Sequence, residues 1–344
     1  MNRDDFDIKG PVFVVGNSRS GTTMMGHILR NHPMIFTLHH ELHFFEQLCA
    51  SRDYGRVLSF DEAVGLAARL LCIDHDSYWR QGDPSRFTGE AETVVLSIQD
   101  SPLTPVVVFE RFLRYVAMKN GKPVPCDQTP RYVLYIADIL RLYPDARVIN
   151  MIRDPRPVLL SQKYKWKRRW KGYRNFPLKE SIRTKINYHP VTISMIWKAS
   201  VRAVSPFTDH PRVLIVKYED LLREPEAEVR RICTFLGVDF HAEMLDIPQG
   251  GSSLRSFTTK KGIDGSRLDA WKREGGLTRT EIYLCQKITG PLMERYGYEP
   301  LPVGVNPLVL LWYFLLLPVK LSLSFVLNLK RMKNIPEAIR RRLR

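Results

Sequence analysis

Val12-Phe13-Val14-Val15-Gly16-Asn17-Ser18-Arg19-Ser20-Gly21-Thr22-Thr23 is the stretch from which the rest of the chain can be read. A short β-branched run ends in a glycine. A polar turn follows, and a helical pattern opens at Gly21 and runs to about Asn31. Strand, glycine-bounded loop and helix is the geometry that aims backbone N–H groups and a positive helix end at a phosphate.

The spacing of Gly16 and Gly21 matches the P-loop frame G-x-x-x-x-G-K-[ST] except at one position, where Thr22 replaces the lysine. That lysine serves the β- and γ-phosphates, and the hydroxyl after it holds magnesium. Without it, the loop can still cradle one phosphate through amides, hydroxyls and the Arg19 guanidinium. It is poorly equipped for a triphosphate.

The same alternation continues along the chain. Ile35 to Leu38 reads as a second strand, and Asp61–Leu71 and Val106–Met118 read as helices. Tyr132 to Tyr143 has helical spacing and stops at Pro144. Ala146–Ile152 and Val213–Val216 read as buried strands. Pro225–Leu236 is a helix with proline at its start and Gly237 just past its end. The expectation is an α/β fold, a parallel sheet flanked by helices on both faces, with ligands beyond the carboxyl ends of the strands. Residues 46–125 are the least legible stretch.

The formal charge is +16, and it is concentrated. Lys163–Arg174 holds seven basic residues and no acidic one, while Lys330–Arg344 holds seven and a single Glu. Together they carry +13 of the +16, so the body is near neutral and nucleic acid is not expected as a partner. Five cysteines are scattered without any C-x-x-C, which suits buried thiols in a reducing compartment. Met1–Gly10 is polar and charged, so no signal peptide is expected there. His39-His40-Glu41-Leu42-His43 has Phe44 where an H-E-x-x-H motif needs histidine, and no metal is expected.

Directly after the 146–152 strand stand Arg153 and, eight residues on, Ser161. Both can face a second phosphate, unless Arg153 pairs instead with Asp154. Lys165, one helical turn past Ser161, can join them. One monophosphate cradle, a second arginine–serine site and no magnesium ligands describe a nucleotide phosphorylated at two separate places.

Over most of residues 10–300 the chain resembles the sulfotransferases that use 3′-phosphoadenosine 5′-phosphosulfate (PAPS). Gly16–Thr23 looks like their 5′-phosphosulfate loop, with Arg19, Ser20, Gly21, Thr22 and Thr23 as binding residues. Arg153 and Ser161 fit their 3′-phosphate motif. Tyr218-Glu219-Asp220-Leu221 is similar to the segment whose tyrosine lies near the adenine. Lys260-Lys261-Gly262 is similar to their late basic segment over the 3′-phosphate. The resemblance implies a P-loop-NTPase-like core, PAPS as sulfuryl donor and no metal.

It also implies a catalytic base. Glu41 follows the second strand where Golgi-type and many bacterial members carry their catalytic Glu. His39, His40 and His43 are the rivals, since cytosolic members use histidine. Arg19 suits the leaving 5′-phosphate. One position departs from the pattern: many relatives place a lysine before Thr129-Pro130, and this chain has Gln128. Another cation can cover that charge, Gln128 can donate a neutral hydrogen bond, or activity is weakened.

The expected division is a sulfotransferase domain over 1–303 and a hydrophobic, then basic, segment over 304–344. Pro300–Val319 is uncharged for twenty residues, about one hydrocarbon core as a helix. Prolines crowd its start, and Pro318 with Lys320 is expected to break it before Leu321. A re-entrant or in-plane anchor on the cytoplasmic side of a membrane follows, with the basic tail on anionic headgroups. The reading is sulfuryl transfer to a small-molecule, lipid or lipid-linked glycan acceptor, at a hydroxyl or amine. Its rivals are a membrane-docked protein that binds PAPS or its product without turnover, and a P-loop kinase.

Overall fold

The structure, a computed structural model, describes residues 10–99, 101–171, 177–249, 260–265, 268–273, 275–329, 337 and 340–342. Residues 1–9, the end of the first basic run (Tyr173, Arg174) and most of the basic tail lie outside the described residues.

Five strands form one parallel sheet: β1 (Val12–Gly16), β2 (Ile35–Thr37), β3 (Val124–Gln128), β4 (Arg147–Ile152) and β5 (Val213–Lys217), in the order β2-β3-β1-β4-β5. The helices are α1 (Thr22–Arg30), α2 (Phe60–Asp76), α3 (Thr88–Leu96), α4 (Pro105–Lys119), α5 (Ile136–Leu142) and α6 (Pro155–Lys163). They continue with α7 (Leu178–Asn187), α8 (Pro190–Val204), α9 (Tyr218–Arg223), α10 (Pro225–Leu236), α11 (Arg279–Arg295) and α12 (Pro307–Asn328).

Alternation along β1 explains the layering. Phe13 and Val15 point into one apolar cluster with Phe44, Phe45, Phe109 and Tyr132. Val12 and Val14 point into another with Met25, Ile28 and Leu29 of α1 and Val229, Ile232 and Leu236 of α10. Both faces are therefore covered, as an all-parallel sheet requires. The α10 boundaries are as read from the sequence: Pro225 opens the helix, and Gly237 ends it at φ 68. All five cysteines are free thiols and buried.

The strand order reverses at β1, with β2 and β3 to one side and β4 and β5 to the other. A crevice opens at the carboxyl end of the sheet at such a point. Parallel register fixes what lies on its rim: Gly16 is level with Met151, Ile152 with Lys217, and Val14 with Gln128. The loop at 17–21, the segment carrying Glu41, Thr129, Arg153 and Tyr218 each follow one of the five strands.

Three expectations are corrected. Tyr132–Tyr143 is not one helix, because a 3₁₀ stretch over Pro130–Tyr135 precedes α5. Lys165 does not stand one helical turn past Ser161 on the same helix, because α6 ends at Lys163 and a 3₁₀ stretch, Lys165–Lys171, follows. Pro318 does not break the tail, since α12 runs through it to Asn328. A proline inside a helix loses one hydrogen bond and strains one carbonyl, a cost that a long apolar helix absorbs by a bend rather than a break.

Candidate active site

The 17–21 loop is shaped by three residues with positive φ. Gly16 (φ 145) lies so close to β4 that a Cβ would sit 2.3 Å from the Met151 carbonyl oxygen. Arg19 (φ 78) and Gly21 (φ 96) curl the chain into a concave turn closed by Ser20 N–H donating to Asn17 O at 3.1 Å. Left-handed backbone at a non-glycine residue is costly and concentrates at functional sites. Ser20 Oγ is buried with no hydrogen-bond partner among the described residues, an orphan in a loop otherwise built to face an anion.

Gly21 also permits a contact with the first residue of α9. A Cβ on it would meet the Tyr218 ring at 2.4 Å. Gly21→Ala is expected to push Tyr218 from its place and strain the left-handed backbone, and to weaken binding of the nucleotide expected from the sequence at least tenfold. Calorimetric titration with adenosine 3′,5′-bisphosphate checks this, and unchanged affinity would show the contact to be irrelevant.

The second half-site is joined to the first. Arg19 Nε donates to Ser161 Oγ on α6 at 2.9 Å. Arg153 Nη1 donates to the Arg19 carbonyl oxygen at 3.1 Å, and its guanidinium lies 4.1 Å over the Tyr218 ring. The alternative pairing of Arg153 with Asp154 does not occur: Asp154 pairs with Arg156 at 2.6 Å, which in turn stacks on Trp271. Arg153 is thus spared for the crevice, its carbonyl held by Trp197 Nε1 at 2.8 Å and its Nε buried without a partner among the described residues.

Lys165 faces the same space as Ser161. Burial, reinforced by the Arg19, Arg168 and Arg183 charges, pushes its ammonium down to about 7. Four cations crowded without an equal number of carboxylates is an arrangement that an anion relieves.

Glu41 sits across the crevice. Thr129 Oγ1 accepts from Leu42 N–H at 3.2 Å and donates to the buried Asp127 carboxylate at 2.7 Å, and Tyr132 Oη accepts from Phe44 N–H at 2.7 Å. These bonds fix the 41–44 segment to β3. Burial raises the Asp127 carboxyl to about 7. Glu41, partly exposed to the crevice, lies 3.4 Å from His43 Nε2. The other ring nitrogen of His43 meets Glu46 at 2.5 Å. Burial raises the Glu46 carboxyl, but Arg131 and His43 offset this and leave it below its ordinary value. The result is a carboxylate–imidazole–carboxylate chain from the crevice into the core.

His39 and His40 do not join it. His39 is tied to Asp74 by its backbone N–H (2.7 Å) and its ring (3.2 Å), and neither histidine lines the crevice. Gln128 is also turned away, its side chain packed beneath Gly26 and its amide nitrogen buried without a partner among the described residues. Of the late basic segment, Gly262 (φ 95) lines the crevice, whereas Lys261 pairs with Asp246 at 2.7 Å and Lys260 is not in the lining.

A single cleft of about 830 Å³ joins the Gly16–Met24 turn, Glu41, His43, Arg153, Ser161, Lys165 and Tyr218. Residues 11–242 match the Sulfotransferase family over two thirds of the chain. The chain belongs to the sulfotransferase family.

Similar sulfotransferases and related proteins span several functions. The nodulation protein NoeE of Sinorhizobium fredii is 26% identical over 87% of this chain and 68% of its own length. A putative protein-tyrosine sulfotransferase of Caenorhabditis briggsae is 25% identical over 76% of this chain and 80% of its own. Among solved structures, the sulfotransferase domain from the Synechococcus PCC 7002 olefin synthase is 21% identical, covers 88% of this chain and 99% of that one, and has a TM-score of 0.46.

Sequence reasoning missed His43 as a partner of Glu41, the cations Arg168 and Arg183, and the helix α12 as part of the cleft lining. The first depends on the left-handed backbone at His43 (φ 54), which sequence spacing does not announce. The others depend on tertiary packing.

Proposed function

We propose that this sulfotransferase moves a sulfuryl group from PAPS to a hydroxyl or amine acceptor, with residues 1–303 as the transfer domain. The observation that carries the reading is the join between the two half-sites: Arg19 on Ser161 and Arg153 on the Arg19 carbonyl put two anion cradles on one rim. Ser20, Gly21, Thr22 and Thr23 would hold the 5′-phosphate end. Arg153, Ser161 and Lys165 would hold the 3′-phosphate, and Tyr218 the adenine side, with Gly262 closing over it.

PAPS supplies the activated sulfuryl group. Positioning and charge stabilisation are the protein's share of such a transfer, as in phosphoryl transfer. Glu41 takes the proton of the acceptor, oriented by His43, whose second nitrogen is anchored on Glu46. Arg19 neutralises charge on the leaving phosphate, the task left open by Gln128. Relatives named for tyrosine and for carbohydrate sulfation support a hydroxyl acceptor.

The α12 helix, 22 residues with mean hydropathy 2.0 in its most apolar window, is nowhere buried. With the basic residues after it, this supports a peripheral or re-entrant attachment of 305–344 to an anionic membrane, and a lipid or lipid-linked glycan as acceptor.

Calorimetric titration with adenosine 3′,5′-bisphosphate and with Mg·ATP tests the reading, the bisphosphate being expected to bind at least a hundredfold tighter. Tighter Mg·ATP would sink it in favour of a kinase. The same titration has a pH signature. A bound phosphate favours the Lys165 ammonium, which in the free protein is lost as pH rises through about 7. Affinity should therefore be level just below pH 7 and fall up to tenfold per unit above it, with proton uptake at pH 8. Lys165→Met should remove that dependence.

A further inference from the structure

The tail contributes to the cleft itself. A polar stripe at i, i+4, i+8 of α12 docks it on α7: Lys320 Nζ donates to the Tyr188 carbonyl at 2.8 Å, Ser324 Oγ to Asn187 Oδ1 at 2.6 Å, and Asn328 Nδ2 to the same oxygen at 3.0 Å. Arg183, one of the cations around Lys165, donates to Asn328 Oδ1 at 2.9 Å. That docking turns the neighbouring stripe, Leu321 and Phe325, into the cleft that holds Glu41. Leu321 and Phe325 remain about half exposed (47% and 49%), and Leu308, Trp312 and Val326 elsewhere on the helix are more so (75%, 59% and 64%).

We propose that Leu321 and Phe325 form the acceptor wall of the active site and select an amphiphile, its hydroxyl-bearing head toward Glu41 and its hydrocarbon along α12. This rests on the sulfotransferase reading and adds the residues that set acceptor class. Other elements also give the cleft apolar side chains, among them Met24, Val133, Leu160 and Ile196, but Leu321 and Phe325 are the ones that come from α12. They also connect the reacting end of the cleft to the bare apolar surface of the same helix, so a hydrocarbon chain leaving the cleft never has to cross water. A purely polar acceptor gains nothing from either contact.

The test uses the full chain in detergent, with ³⁵S-labelled PAPS offered to the chloroform-soluble and the water-soluble extracts of the source cells. Label is expected in the chloroform-soluble fraction, and Leu321→Ser/Phe325→Ser should cut the rate at least tenfold through KM. Affinity for adenosine 3′,5′-bisphosphate in that variant should stay within twofold, which also shows that it is folded. Label confined to the water-soluble fraction overturns the amphiphile while leaving the transferase intact. Lipid labelling that the double variant does not change overturns the wall. No label in either fraction, with the bisphosphate still bound, fails the transfer reading and this inference with it.

Discussion

Glu41→Gln is expected to lower kcat by about 10²–10⁴, the range that a positioned general base contributes, while adenosine 3′,5′-bisphosphate binds within twofold of the wild-type affinity. The glutamine keeps the size of the side chain and a hydrogen bond from His43, 3.4 Å away, but cannot take a proton. Neither Arg153 nor Ser161, the residues proposed to hold the 3′-phosphate, is changed by the substitution. The pH profile makes the result specific: the acidic limb of kcat should disappear in the variant, because that limb reports the base. His43→Asn should give a smaller loss and retain the limb, since it removes the orienting bridge to Glu46 and leaves the carboxylate. Single-turnover transfer separates chemistry from product release in both. Near-native turnover in Glu41→Gln would move the base to His43, which lines the cleft 3.4 Å from Glu41.

How much of this could be read in advance depended on the range of the interaction. The 12–23 stretch carried the loop, its helix and its left-handed glycine, because each is a local consequence of residue type. Arg153 and Ser161 were legible as a spacing, and the sheet register then brings them to the loop. The strand β3 was not. Pro125 stands in its middle, between two neighbours, where a residue without N–H ordinarily argues against a strand. Missing β3 hid the bond that Leu42 N–H donates to Thr129 Oγ1, which positions the Glu41 segment.

The fate of each cation was equally out of reach. Arg156 and Arg153 are three apart in the chain, yet one is absorbed by Asp154 and Trp271 and the other is spared for the site. Only the packing decides which. Lys261 is the converse case, a motif lysine whose partner is Asp246, fifteen residues away. The tail helix illustrates the limit of hydropathy. Its composition announced an apolar segment, whereas its docking is set by Lys320, Ser324 and Asn328, the polar residues that composition counts against it.

Arg19→Ala and Arg153→Ala are each expected to weaken adenosine 3′,5′-bisphosphate binding by about 10- to 150-fold, the equivalent of one charge-assisted hydrogen bond of about 1.5–3 kcal/mol. Their effects should not add. Arg153 holds the Arg19 carbonyl, and Arg19 has the left-handed conformation (φ 78) that the loop has to maintain. Removing Arg153 therefore loosens the Arg19 side chain as well as deleting a charge, and part of the Arg19 contribution is already lost in that background. A double-mutant cycle should give a coupling of about 0.5–3 kcal/mol, as for residues in one network. Arg153→Lys should not restore affinity, because a point charge cannot both bond the carbonyl and lie flat over Tyr218 as the guanidinium does at 4.1 Å. Thermal melting of each variant keeps the comparison to folded protein. Strict additivity would mean that the two half-sites are independent, and a loss below twofold in both would mean that neither arginine meets the nucleotide.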